Sequence, residues 1–401
     1  MTIDRRSVLR GTAAAVGGAA LVGATSAGSR PSSTTQETSS TQDIPFHGEH
    51  QSGILNARQA AAAFVAFDLT TTGKQDVIDL MRSLTDRARI LTTGGRPPDL
   101  GISAPPSDSG VLGPVVPGDG LSITLGMGAS AFEGHGITKA RPTRLRTMET
   151  FPDDNLDRSR CDGDLVLQLC ADNRDTVIHA LRDLARHTRG GMQVRWRVDG
   201  FAGPPRPSGA PRNLMGFKDG TANPKPSEAD KLIWSGADEP AWAAGGSYQV
   251  VRVIRMLVEF WDRVTIAEQE RMIGRRRDTG APLSGNRETD TPAYGNDPLG
   301  STTPLDAHIR MANPRTPQTD ESRLLRRGYN YDAGVDSNGN LDMGLVFACY
   351  QQDLDRQFVA VQHRLAGEPL TDYISPVGGG FFYALPGVTD NSDWFGRSLL
   401  S

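Results

Sequence analysis

Four times along the chain, an apolar run suited to a strand gives way to a short polar break and then to helix-spaced apolar residues. The runs cover 63–69, 165–170, 248–257 and 343–350, and the segments that follow them cover 75–91, 176–188, 265–273 and 353–365. In the first segment Val77, Ile78, Met81 and Leu84 share one helical face; in the last, Leu354, Phe358, Val361 and Leu365 do. That i, i+3, i+4 spacing buries one side of a helix, whereas runs rich in Val, Leu and aromatics suit strands. Further strand-like runs cover 121–125, 193–198 (with clean alternation) and 380–384. Two such units in each half predict an α+β fold made of duplicated ferredoxin-like halves. Helices on one face of each sheet leave the other faces or edges free to form a pocket.

The 401 residues suffice for two domains or one duplicated one. Residues 1–27 read as a Tat export signal, with Arg5 and Arg6 ahead of a mildly apolar stretch from Gly11 to about Ala24. That stretch is shorter than the roughly 20 apolar residues that span a bilayer, so no membrane span is expected after cleavage. Residues 28–46, rich in Ser, Thr and Gln, read as a flexible linker. The expected halves are 47–212 and 213–401. A Pro/Gly-rich insert from Arg275 to Pro317 is too long for a plain connection, and loops of that length are usually functional or disordered.

A formal charge of −4 without a long basic run gives no nucleic-acid footprint. Three cysteines without a Cys-x-x-Cys spacing argue against a disulfide framework and a zinc site, so redox chemistry would need a cofactor. His47 and His50 form an HxxH without a carboxylate or cysteine at metal spacing, and are assigned to the start of the globular sequence.

Three stretches carry the chemistry. In Gly216-Phe217-Lys218-Asp219-Gly220-Thr221 a carboxylate stands between glycines, which let other atoms approach the backbone closely. Alone, an Asp-Gly pair is equally an ordinary turn. His308, in the run His-Ile-Arg-Met-Ala-Asn-Pro-Arg, is flanked by charge at the end of the insert. It is either a solvated histidine or an axial ligand, the usual role of neutral imidazole on haem iron with an open face. Arg326 and Arg327 precede Gly328 and Tyr329 and point to opposite sides of an extended segment, so one of them can face a pocket. There a guanidinium binds an anion or steadies charge developing on oxygen; otherwise the pair is a solvated basic turn.

In this order the three motifs resemble the dye-decolourising (DyP-type) haem peroxidases, from about Gly48 to Leu400. The run from Gly378 to Gly387 and the export signal are similar to the exported deferrochelatase/peroxidase branch. The resemblance implies ferredoxin-like halves of the dimeric α/β-barrel type and one haem b per chain, in the C-terminal half. It implies His308 as the iron's axial ligand and Asp219 and Arg326 as the catalytic pair. Gly216, Phe217, Lys218, Gly220, Thr221, Arg310, Glu321, Leu345 and Phe347 are then expected around the cofactor. Asp219 would move a proton between the oxygens of hydrogen peroxide, and Arg326 would steady the departing oxygen. A carboxylate reference pKa of about 4 predicts an acidic optimum. Asp320 or Glu321, the latter ahead, would accept the second N–H of His308. Gly328 departs from the family pattern, in which some members carry asparagine, and this places more weight on Asp219. The implied partners are an organic reductant (dyes, phenols, porphyrins), components of an iron-uptake transporter and a second copy in a homodimer. The implied address is the periplasm or the cell exterior, with iron release from haem as a physiological task. The competing expectation is a haem carrier in iron uptake, without turnover; retention of both Asp219 and Arg326 favours the enzyme.

Overall fold

The computed structural model describes residues 44–401; the expected export signal and nearly all of the expected linker lie outside them. The strands are β1 (Ala61–Leu69), β2 (Ser122–Gly128), β3 (Leu165–Ala171), β4 (Met192–Phe201), β5 (Ser247–Met256), β6 (Leu325–Arg326), β7 (Tyr329–Val335), β8 (Leu341–Gln351) and β9 (Ile374–Ala384). The first four pair in the order β2-β3-β1-β4, with α1 (Lys74–Thr93) after β1 and α2 (Arg174–His187) after β3. The second set repeats the order as β7-β8-β5-β9. Each is the ferredoxin-like arrangement, with second, third, first and fourth strands side by side.

The two sheets join edge to edge and close. Gly126–Gly128 of β2 pair with Phe382–Ala384 of β9, and on the far side Phe201 of β4 pairs with Asn330 of β7. The named strands pair with one another antiparallel, and closing the ring covers strand edges that would otherwise lie open.

Side-chain alternation builds two cores from the same strands. On β1, Phe64 and Ala66 turn into the barrel with Val251, Val346, Ala348 and Phe382, whereas Ala63, Val65 and Phe67 turn outward. The outward set packs on Val77, Met81 and Leu84 of α1 and on Val177, Ala180 and Leu184 of α2. This is why β1 is apolar almost throughout rather than alternating. Phe64 is fully buried, and truncating such a residue to Ala typically costs about 3–5 kcal/mol.

Three buried polar side chains inside the barrel are linked to one another. Tyr350 donates to Gln168 (2.8 Å) and accepts from Gln249 (3.0 Å), while Gln168 donates to the carbonyl of Gly53 (2.9 Å). The last bond draws the segment leading into β1 across the barrel.

Two features differ from the sequence expectation. β7 lies where the sequence shows only a basic motif followed by turn-forming Gly334, although its alternate residues Tyr329 and Tyr331 are buried. The segment after β8 is not uniformly α-helical: Asp355–Val359 wind as a π-helix before Ala360–Leu365 turn α-helical. The buried Gln357 amide there donates to the carbonyls of Leu232 (2.8 Å) and Arg323. No described helix is long and apolar enough to cross a membrane.

Candidate active site

Asp219 stands on a loop that is tied down residue by residue. The carboxamide oxygen of Asn213 accepts from the backbone N–H groups of Met215 and Phe217, both at 3.1 Å. The turn needs glycine at 216: φ is 86°, and a Cβ there would lie 2.8 Å from Nε of Arg277. Phe217 is 3% exposed and packs edge-on against Trp261, whose indole donates to the carbonyl of Met215 (3.0 Å).

Lys218 and Thr221, one and two residues from Asp219, turn towards Glu288 in the insert. Lys218 donates to one oxygen of Glu288 at 2.5 Å, and Thr221 (2.8 Å) and the N–H of Ala210 (2.9 Å) donate to the other. Burial opposes charge on Glu288, yet these bonds hold its carboxyl below the usual range. Lys218 and Thr221, expected at the cofactor, are therefore spent on holding the loop. Gly220, at φ 106°, completes the turn.

Arg326 completes this wall. The side chain of Asn223 brackets its backbone, accepting from its N–H (3.1 Å) and donating to its carbonyl (2.8 Å). The guanidinium donates to Oδ1 of Asp219 at 3.1 Å. Arg327 points the other way, buried against the carbonyls of Asn56 and Ala57 and the side chain of Gln59.

His308 opens the short helix His308–Ala312. Its Nδ1 lies 2.9 and 2.8 Å from the two oxygens of Glu368, which is 3% exposed. Burial lowers the imidazole's proton affinity, but Glu368 more than offsets this and the pKa stays above its ordinary value. The charges of Arg326 and Asp219 also reach the ring, which puts that wall near the imidazole. Neither carboxylate expected beside His308 occupies that place. Asp320 pairs with Arg323 at 2.9 Å and Glu321 with Lys231 at 3.3 Å, both on a turn that points to solvent. Arg310 is likewise turned aside, to Asp297 (3.3 Å) and the carbonyl of Thr303 (2.8 Å).

An apolar cluster adjoins both walls. Leu345 clusters with Phe217, Met215, Met256 and Leu370, and Phe347 packs along its margin. The residues present fit a haem. His308 keeps Nε2 free of any hydrogen bond among the described residues, with 31% of its side-chain surface still open although protein surrounds it. Arg315 is exposed, has no ion pair among the described residues, and lies near enough to Arg326 to feel its charge. A planar apolar ring carrying acidic groups would match such a cleft.

Sequence reasoning missed Glu368, Glu288 and Asn223. Glu368 sits in Ala-Gly-Glu-Pro, 60 residues from His308, with no periodicity to link them. Glu288 could have been sought because its insert was already marked as functional.

The family model described as Dyp-type peroxidase, N-terminal, matches residues 51–202, and that described as Dyp-type peroxidase, C-terminal, matches 210–389. A protein named deferrochelatase from Escherichia coli (strain K12) is 50% identical over 368 residues, which is 89% of this chain and 87% of the relative. One of the same name from Yersinia pestis bv. Antiqua (strain Nepal516) is 49% identical over 369 residues, 90% and 85% of the two chains. Among solved structures, a DyP-type peroxidase from Cellulomonas bogoriensis superposes with a TM-score of 0.81 at 38% identity, covering 90% of this chain and 99% of that one. Ferric DtpA from Streptomyces lividans gives 0.81 at 37%, covering 90% and 97%.

Proposed function

Since the chain belongs to the Dyp-type peroxidase family, we propose that it is a haem-dependent peroxidase worked by Asp219, Arg326 and His308. The observation that carries the residue assignment is the Asp219–Arg326 pair, at 3.1 Å, facing the His308–Glu368 pair across one apolar-lined cleft. A carrier needs the imidazole but has no use for a proton-moving pair opposite it.

When bound, haem b supplies the iron that takes up hydrogen peroxide and the electrons that reduce it. His308 would hold the iron through Nε2, with Glu368 fixing the tautomer and strengthening the imidazole as a donor. Asp219 takes the proton from the near oxygen of the peroxide and returns it to the far one, so that water departs. Arg326 orients that carboxylate and steadies the negative charge on the departing oxygen. The donors that return the electrons are organic: dyes, phenols or porphyrins.

The name carried by the relatives supports a further task, release of iron from haem itself. The twin-arginine segment supports export to the periplasm or beyond, and a homodimer belongs to the same proposal.

Stopped-flow mixing of the haem-loaded chain with peroxide tests the central reading. A fast, peroxide-dependent change in the Soret band is expected, and an unchanged band would leave a carrier. Iron release is read separately, as chelator-trapped iron with fluorescent metal-free porphyrin left behind.

A further inference from the structure

Asp219 has a second guanidinium beside it, contributed by the other half of the chain. The segment before β1 is stitched into the barrel: Gln51 donates to the carbonyls of Leu125 and Leu385 (both 2.8 Å), and Gln59 to that of Gly120 (2.9 Å). Arg327 grips the carbonyls of Asn56 and Ala57 in the same segment. Arg58, held in this way, donates from Nη1 to the carbonyl of Gly328 and lies over the ring of Tyr329, 5.8 Å from its centroid. Arg58, Asp219, Gly328, Asn330 and Leu345 line one small cavity, of ≈ 10 Å³, at the seam between the halves.

Two observations mark this cavity as more than a packing gap. Asn330 is 7% exposed and donates to the carbonyl of Arg212 (3.0 Å), but its Oδ1 has no partner among the described residues. Burial lowers the proton affinity of Arg58, and the charge of Asp219 is the foremost influence restoring it. Gly328 contributes room: a Cβ there would stand 3.6 Å from Oδ2 of Asp219 and 3.4 Å from Leu345, ordinary contacts that a side chain could occupy.

We infer that Arg58 is a positioning residue of this site, a second guanidinium that flanks Asp219 on its Gly328 side and holds the carboxylate oriented between itself and Arg326. The inference rests on the peroxidase reading above. A carboxylate flanked by two guanidinium groups is held in one orientation, which proton transfer over hydrogen-bond distance requires. The other charged groups around it are His308 across the cleft, Arg212, whose guanidinium is bonded to the carbonyls of Gly216, Arg277 and Asp278, and Lys218, which is turned to Glu288.

The probe is cyanide, added to the ferric, haem-loaded full chain. Hydrogen cyanide gives up its proton as it binds, so its association rate reads the distal base without turnover. Arg58→Ala should slow association at neutral pH by about tenfold, the effect of losing one charged contact that fixes the direction of the base. Haem content, Soret position and unfolding midpoint should stay at wild-type values, and Arg58→Lys should restore most of the rate. If Arg58→Ala fails to fold, Arg58→Gln against Arg58→Lys carries the same comparison. Coincident association rates in wild type and variant would overturn the inference. So would a loss that lysine does not restore and that tracks a lowered unfolding midpoint, since Arg58 would then be scaffold. Failure of the wild-type chain to take up haem would instead remove the peroxidase reading, and the Soret band shows this before cyanide is added.

Discussion

Nδ1 of His308 donates to Glu368, whose two carboxylate oxygens lie within 2.9 Å of it. A nearly buried carboxylate fixes the imidazole's tautomer, leaves Nε2 as the only free donor atom, and raises the basicity of the ring.

Glu368→Gln should therefore keep haem but weaken its binding by about 10-fold or more and raise the iron's reduction potential. Glu321→Gln should alter neither, and His308→Ala should abolish the Soret band. Haem titration and spectroelectrochemistry check all three. In the haem-free chain the raised pKa of His308 gives stability that is complete below its ordinary 6.5 and lost as pH rises through the higher folded value. Glu368→Gln should flatten that dependence in denaturant melts.

The two distal residues separate by pH rather than by the size of the rate loss. Asp219→Asn should slow peroxide cleavage by about 10²–10⁴-fold and erase the acid limb. Arg326→Leu should slow it by about 10²–10³-fold and keep that limb, since guanidinium does not titrate there. Stopped-flow rates across the acid range decide between them; a wild-type rate in Asp219→Asn would take the carboxylate out of the mechanism.

Glu288→Ala would leave the Lys218 ammonium, only 4% exposed, without its counter-ion. Breaking such a pair costs about 3 kcal/mol, to be read as a lower midpoint in urea. Hydrogen exchange in residues 210–221 should quicken in the same variant.

Glu228 is held at about 2 by the Arg323 guanidinium, against an ordinary 4.5. Its pKa falls on folding, so its contribution is present above pH 4.5 and disappears as pH drops towards 2. Glu228 is partly open to water, and screening limits the effect to about 1 kcal/mol or less. Glu228→Gln should remove that share of the acid destabilisation and lower the unfolding free energy at pH 7 by the same small amount.

The repeated pattern of apolar runs made both ferredoxin-like halves legible, because burial on two faces forces β1, β3, β5 and β8 to be apolar. β7 was hidden because its second half, Asp332–Val335, is exposed and only its tyrosines carry the pattern. Asp219, His308 and Arg326 stood out through their local motifs. Their supports did not: Glu368, Glu288 and Asn223 act across 60 to 103 residues of chain, and contact over such distances leaves no trace in spacing. Proximity in sequence misled at Glu321, which is near Arg326 along the chain but pairs with Lys231 at the surface.

The insert from Arg275 to Pro317 touches both sides of the cleft: Glu288 grips the Asp219 loop, and twenty residues later His308 begins the facing wall. One stretch of backbone thus works as a caliper whose two jaws are the distal loop and the axial imidazole. Deleting or adding even two residues between 288 and 308 changes the gauge of the jaws, and with it the thickness of the disc they can clasp. The same change in the exposed loop at 98–113, remote from both jaws, leaves the gauge as it is.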